Sequence, residues 1–184
     1  MSTPSTARRL VRSFLRYLKE RVGDGAYEAL ARELPPRSAA LMTERVGSGA
    51  DHIPLDDWLP VVRAFEARFG DPTTLQLLRE TTRAMMAVAV DKGWSTFLAD
   101  VTPDLLLARS GTFWSMSYDA GRLVVRARGP RRCLLALEGW DDPPPEVVAM
   151  LAEACVVFLV RLGERGGRAI EGRNGATAEI EAIW

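Results

Sequence analysis

The chain has 184 residues, and its 24 basic and 24 acidic side chains give a formal net charge of zero, so no positive field favours nucleic-acid binding. Its two cysteines, Cys133 and Cys155, are far apart and predict reduced thiols rather than a zinc ribbon or a disulfide framework. The longest apolar stretch is interrupted by Glu153 and Arg161, and no apolar signal segment follows the first arginines, so we expect a cytoplasmic protein without a membrane span.

The first half of the chain has helical periodicity. Residues 1–6 are expected to be disordered, as an exposed polar terminus usually is. Apolar side chains at helical spacing then predict helices over 7–22, 24–34, 38–46, 54–69, 72–91, 94–99 and 103–108. Pro60 lies within the fourth of these helices, which must therefore begin after it or bend there.

The period changes to two after residue 111, which predicts strands. Trp114, Met116 and Tyr118 alternate with serines and begin a predicted three-stranded meander that continues over 123–128 and 133–138. A long helix over 146–162 and a closing hairpin around Asn174–Gly175 follow. We therefore expect a single α+β domain over 1–184, with N-terminal helices packed on a C-terminal antiparallel sheet of meander, long helix and closing hairpin.

Chemistry-bearing residues do not form a recognisable catalytic or metal-binding arrangement. His52, the one histidine, is predicted to be a solvent-facing loop residue. The pairs Asp56–Asp57 and Asp141–Asp142 are predicted to oppose the dipoles of the helices that they precede or open. The sequence therefore predicts a protein that is not an enzyme, with no catalytic residues, no metal and no cofactor.

Large, soft apolar side chains gather near the predicted junction of helices and sheet. They predict either an adaptable ligand pocket or simply core, and the tentative ligand-binding residues are Met85, Met86, Trp94, Phe97 and Phe158. The helix over 146–162 is apolar almost all round, so it must be covered on two sides. One cover is the sheet, and the other is the N-terminal helices or a second subunit, for which Val156 and Val160 are the predicted dimer interface.

Several motifs together resemble a known family. They are Pro-Leu-x-x-Trp at 54–58, TPDLLLARSGTFWSM at 102–116, Leu-x-Gly-Trp at 137–140 and the closing Asn-Gly hairpin. In this order they resemble an uncharacterised myxobacterial family related to the vinyl-reductase-domain and TRAPP-like group. That resemblance implies a TRAPP-like fold and ligand sensing or scaffolding. Some vinyl-reductase-domain sensors carry a zinc site with a cysteine in the closing hairpin, and residues 174–178 contain none.

Two functions follow as hypotheses. The first is a non-enzymatic regulatory or adaptor module, a homodimer that holds an apolar small molecule between helices and sheet. The alternative is a protein–protein scaffold with a solid core and no ligand. An enzyme that uses aspartate or glutamate chemistry is a distant third hypothesis. A void bounded by Met85, Met86, Trp94 and Phe158 would distinguish the first two.

Overall fold

The computed structural model describes residues 3–43, 52–91, 102–164 and 166–184. Within these ranges the chain has helices and an antiparallel sheet, which confirms the α+β class. In chain order the elements are β1 Ser5–Ala7, α1 Arg8–Val22, α2 Asp24–Glu33, α3 Pro36–Thr43, β2 His52–Pro54, α4 Leu55–Phe69, α5 Gln76–Ala89, α6 Pro103–Ala108, α7 Ser110–Ser115, β3 Arg122–Gly129, β4 Arg132–Glu138, α8 Pro145–Arg161, β5 Arg168–Asn174 and β6 Thr177–Ile183.

These elements belong to two compact units. The first unit comprises Met1–Thr81 with Ser117–Asp119, and the second comprises Thr82–Met116 with Ala120–Trp184. Helix α5 therefore begins in the first unit and ends in the second. The single domain over 1–184 stays a prediction, and the helix predicted over 94–99 lies outside the described residues.

The core of the first unit is built on α1 and α4. Phe14 of α1 meets Trp58 of α4 edge to face, with ring centroids 5.0 Å apart, and both side chains are buried. Helix α4 begins at Leu55, before Pro60, which settles where the helix starts. Its acidic pair Asp56–Asp57 lies in the first turn, as predicted, where carboxylates oppose the helix dipole.

Ser5 and Thr6 lie in strand β1, which corrects the disorder predicted for them. Strand β1 pairs antiparallel with β2, and the Ala7 amide donates to the Ser117 carbonyl oxygen at 2.7 Å. Thr6 is fully buried and its hydroxyl donates to the same carbonyl at 3.1 Å. Small hydroxyl residues are typical of a frayed terminus, but here pairing with distant segments satisfies their polar groups.

A buried carboxylate joins α4 to α5. Glu66 is 1% exposed, and its two oxygens accept hydrogen bonds from the backbone amides of Asp71 and Leu78. A side chain at Gly70 would collide with the Glu66 carboxylate, which explains the glycine. Helix α5 begins at Gln76 rather than at 72, because the preceding residue Leu75 has a φ of 54° and ends the turn between the helices.

The second unit contains a four-stranded antiparallel sheet in the order β3–β4–β6–β5. It joins two hairpins, so the predicted three-stranded meander is wrong: residues 110–115 form helix α7, and β6 occupies the place beside β4. The closing hairpin is confirmed, with its turn at Gly175 and Ala176. Only Gly175 there has a positive φ, 61°, while Asn174 still pairs with Thr177.

Helix α8 packs against β5 and β6. It begins at Pro145, so its acidic first-turn residue is Glu146. Asp142 lies outside the helix, where it pairs with Arg173, which corrects the helix-dipole role predicted for Asp141–Asp142. Among the described residues, no helix has the length and apolar character needed to cross a bilayer.

Candidate functional site

Two ion pairs join α5 to α8 in the second unit. The Arg83 guanidinium donates to Glu153 from Nε at 3.0 Å and from Nη2 at 2.7 Å, and Arg161 Nη2 lies 2.6 Å from Asp91 just after α5. On both helices the second ion pair lies eight residues after the first, from Arg83 to Asp91 and from Glu153 to Arg161. The helices therefore run in the same direction, and the two ion pairs are about 12 Å apart at a rise of 1.5 Å per residue.

The segments of α5 and α8 between these ion pairs contribute most of an apolar cluster. Its buried members are Val90, Leu106 and Val157, and its partly buried members are Met86, Ala87, Phe113, Phe158 and Leu162. Six of them belong to α5, α6, α7 or α8, and Val90 and Leu162 directly follow the last residues of α5 and α8. We call this set the apolar cluster. All eight members are uncharged.

Two aromatic side chains are among the partly buried members of the apolar cluster. Phe113 and Phe158 stack with ring centroids 6.0 Å apart and an interplanar angle of 19°. Both side chains are partly buried rather than closed off from solvent. Aromatic and methionine side chains that keep some exposure can move aside for a small apolar molecule.

The structure brings together two of the five predicted ligand-binding residues. Met86 and Phe158 belong to the apolar cluster. Met85 is 6% exposed and lies outside it, since consecutive helical residues point about 100° apart. Trp94 and Phe97 lie outside the described residues. Ligand binding by this set stays a prediction.

The two residues predicted for a dimer interface differ in exposure. Val160 on α8 is 46% exposed, whereas Val156 is partly buried. Helix α8 has α5 as a neighbour in its own unit as well as the sheet, so a second subunit is not needed to cover it. Dimerisation through Val160 stays a prediction.

Sequence reasoning missed Phe113 because it placed residues 112–118 on a strand. In that strand Phe113 would point away from Trp114 and Met116. In helix α7 it reaches the apolar cluster instead, while the Trp114 indole turns to the Ala120 carbonyl, to which it donates at 2.9 Å. Trp114 also packs against Trp140, with ring centroids 6.2 Å apart. Leu106 and Phe113 lie on two separate short helices, so no single helical periodicity in the sequence indicated this site.

Both cysteines are thiols in the second unit. Cys133 is 1% exposed on β4, and Cys155 lies on α8. Burial raises the pKa of Cys155 to about 12, and the nearby Cys133 raises it further. Cys155 is therefore protonated at neutral pH, which makes it a poor nucleophile and a poor metal ligand.

A set of polar residues in the first unit includes His52, the one histidine of the sequence. His52 lies in β2 rather than in a solvent-facing loop, and its buried Nε2 has no hydrogen-bond partner. Asp119 accepts hydrogen bonds from both the amide and the hydroxyl of Ser5. Desolvation opposes the charge of Asp119, but the Ser5 hydrogen bonds and the charge of His52 outweigh it and lower the pKa of this carboxyl.

The Ser5 hydrogen bonds and His52 stabilise the Asp119 carboxylate, but these three residues are not arranged as a catalytic triad. In a nucleophilic triad the histidine lies between the hydroxyl and the carboxylate, whereas here Ser5 bonds directly to Asp119. Across 3–43, 52–91, 102–164 and 166–184, no three histidine, cysteine, aspartate or glutamate side chains are grouped so as to hold a metal ion.

Comparison with known proteins identifies the fold. No protein-family model matches the sequence. No curated protein matches it either. Solved structures do match: the Fe(II) unliganded H-NOX protein from K. algicida is 12% identical, with a TM-score of 0.65 over 96% of this chain and 95% of that one.

Two further H-NOX structures agree. A point mutant of the T. Tengcongensis H-NOX is 9% identical, with a TM-score of 0.66 over 95% of this chain and 93% of that one. An oxygen-binding H-NOX domain related to soluble guanylate cyclases is 8% identical, with a TM-score of 0.58 over 95% and 91%. At these identities the likeness shows an H-NOX fold and nothing more.

These neighbours correct the family resemblance. The structural matches are H-NOX domains, so the assignment to a vinyl-reductase-domain and TRAPP-like group is wrong, and so is the TRAPP-like label on the fold. The quoted motifs are mostly apolar and turn positions. Such positions report helices, turns and core, which different families share.

Proposed function

We propose that this chain is a non-enzymatic regulatory module that binds an apolar small molecule at the apolar cluster. The observation that carries the proposal is the H-NOX fold over nearly the whole chain, because one such domain is described as an oxygen complex. Fold likeness is an analogy rather than a demonstration of function, so the chemistry of the cluster has to support the same conclusion.

The composition of the apolar cluster indicates what it would bind. Hydrocarbon, aromatic and thioether side chains line it, and they offer dispersion contacts but no charge and few hydrogen bonds. The two ion pairs hold α5 and α8 in register, while the side chains of Met86, Phe113 and Phe158 can change rotamer to fit a ligand. The matching ligand is a neutral, largely apolar molecule.

A scaffold with a solid core remains the second candidate. Its support is the stacking of Phe113 on Phe158, which occupies space that a ligand would otherwise take, together with the exposed Val160 on α8. In that case the partly buried side chains would serve protein contacts. A homodimer or another protein would be the partner.

Thermal denaturation with defined probes separates the two functions. We would measure the melting temperature of the purified chain with and without decanol, naphthol and biphenyl. A ligand at ten times its Kd stabilises the folded chain by about 1.4 kcal/mol, which raises Tm by a few degrees. We expect this shift in the wild type for at least one probe.

Phe158→Trp fills the apolar cluster and should abolish the shift, with far-UV circular dichroism used to confirm that the variant folds. Phe69→Trp is the matched control, because Phe69 is an aromatic residue of the first unit that is 38% exposed. It should keep the full shift. No shift in the wild type, or an equal shift in Phe158→Trp, would contradict binding at the cluster and favour the scaffold.

A further inference from the structure

The H-NOX fold raises the question of haem, because structural neighbours are described by their Fe(II) state or by haem distortion. In proteins, haem iron is held by histidine, by cysteine thiolate, by methionine together with histidine, or by tyrosine. This chain has one histidine, two cysteines and three tyrosines, all of them within the described residues. Each can therefore be compared with what a haem ligand needs.

The second unit, which contains the apolar cluster, has neither histidine nor tyrosine. Cys155 lies on α8 near Cys133 of β4, and burial raises the pKa of its thiol, which disfavours the thiolate that ligates haem iron. Cys133 is 1% exposed and lies in β4, which pairs with β3 and β6, so a large planar group cannot reach its thiol without displacing its neighbours. Met86 in the cluster offers a thioether without a histidine to complete the pair.

The tyrosines of the first unit are unsuitable for different reasons. Tyr27 is buried against Phe65, and burial raises its pKa to about 12. Tyr118 is buried and hydrogen-bonded to Thr6, and desolvation raises its pKa well above the ordinary value. Tyr17 lies on α1, where it is partly exposed and the Arg16 guanidinium lies 5.6 Å from its ring centroid, so it does not face a closed apolar cleft. Both buried phenols thus stay protonated, although iron prefers a phenolate.

His52 is the strongest remaining donor because its Nε2 is buried and has no partner. Its strand pairs with β1 at Ala7, and its electrostatic partner is Asp119, which is tied to Ser5. The described neighbours of His52 are thus two short paired strands and the hydrogen-bonded pair of Ser5 and Asp119. A porphyrin instead needs a wide apolar cleft around the ligating nitrogen.

We infer that this chain keeps an H-NOX fold without a protein-ligated haem, so that its apolar cluster takes a metal-free molecule. The first half of this inference stands on the donor residues alone. The second half rests on the proposed function. The fold would then be retained for ligand-dependent regulation while the iron chemistry of its structural neighbours is absent.

Hemin titration of the purified full chain tests the first half. We would record the visible spectrum during the titration, pass the mixture through gel filtration, and treat the haem-free K. algicida H-NOX protein identically as a positive control. We expect no stoichiometric haem to stay with this chain after gel filtration. We also expect the weak spectrum of the mixture to be unchanged by His52→Ala, Tyr118→Phe or Cys155→Ser.

Retention of one haem per chain through gel filtration would overturn the inference, and its loss in His52→Ala would identify the ligand. The thermal shifts with decanol, naphthol and biphenyl are measured independently. If haem is retained while the shifts also occur, only the haem-free inference fails. If haem is not retained and no probe shifts Tm, the haem-free inference stands and the apolar-ligand proposal fails.

Discussion

The two units differ in where they place their polar groups. In the first unit, Glu66 is buried and binds two backbone amides, and Asp119 is bound by Ser5. In the second unit, the Arg83–Glu153 and Arg161–Asp91 pairs join α5 to α8 beside an apolar cluster whose aromatic side chains keep some exposure. The polar groups of the first unit hold backbone segments in place by hydrogen bonds. Those of the second unit leave apolar side chains partly exposed.

Replacement of Glu66 should have the largest effect on stability. Glu66→Ala leaves the buried Leu78 amide and the partly buried Asp71 amide without an acceptor, which should cost about 3 kcal/mol. Glu66→Gln keeps one acceptor oxygen and should cost less. Urea unfolding measures both, with Glu28→Ala as a control because Glu28 is an exposed glutamate that should change stability by less than about 0.5 kcal/mol. A Glu66→Ala variant as stable as the wild type would disprove the role of this carboxylate in the first unit.

Enlarging side chains inside and outside the apolar cluster should have unequal effects. Met85 is buried outside it, so Met85→Trp should overpack the core and cost roughly 1–3 kcal/mol. Phe158 is partly buried within it, so Phe158→Trp should cost less than about 1 kcal/mol. Thermal and urea unfolding of the two variants make the comparison. Equal destabilisation would mean that the cluster is closed core, as the scaffold function requires.

Charge reversal should test the register of α5 against α8. Asp91→Arg or Arg161→Asp alone places like charges together and should cost about 0.5–1 kcal/mol, since the pair is largely exposed. The double variant restores the pair with opposite polarity and should recover most of that loss. A double-mutant cycle by urea unfolding gives the coupling. If the losses of the two single variants simply add in the double variant, the ion pair does not contribute to stability.

Asp119 should give the smallest effect, seen as a dependence of stability on pH. Its pKa is lower in the folded chain than in the unfolded chain, so its contribution is fully present above about pH 4 and is lost as pH falls through the folded value. The carboxylate is mostly exposed, so the change should be modest. Asp119→Asn should flatten the acid limb of the stability curve. If the acid limb is unchanged in that variant, Asp119 does not contribute to the pH dependence of stability.

Local signals predicted much of the fold. Helical spacing identified α1, α2, α4 and α8 to within a few residues, and Asn-Gly identified the closing hairpin. These elements are set by near neighbours in sequence. Turn chemistry and amphipathic periodicity are therefore enough to locate them.

Features that depend on distant segments were missed. Strand β1 forms only because residues 117–119 and β2 pair with it, and the alternation of Trp114, Met116 and Tyr118 with serines imitated a strand where α7 forms. Two of the eight members of the apolar cluster, Met86 and Phe158, were among the predicted ligand-binding residues. Its partner Phe113 and its bordering ion pairs join residues far apart in the chain, which periodicity cannot detect.

Native mass spectrometry of the purified chain tests the central claim most directly. The account predicts a folded wild-type chain that carries one neutral organic molecule, either as purified or after incubation with decanol, naphthol or biphenyl. That added mass should disappear on extraction with organic solvent and should be missing from Phe158→Trp but present in Phe69→Trp. A bare chain under all of these conditions, or an added mass equal to that of haem, would contradict it.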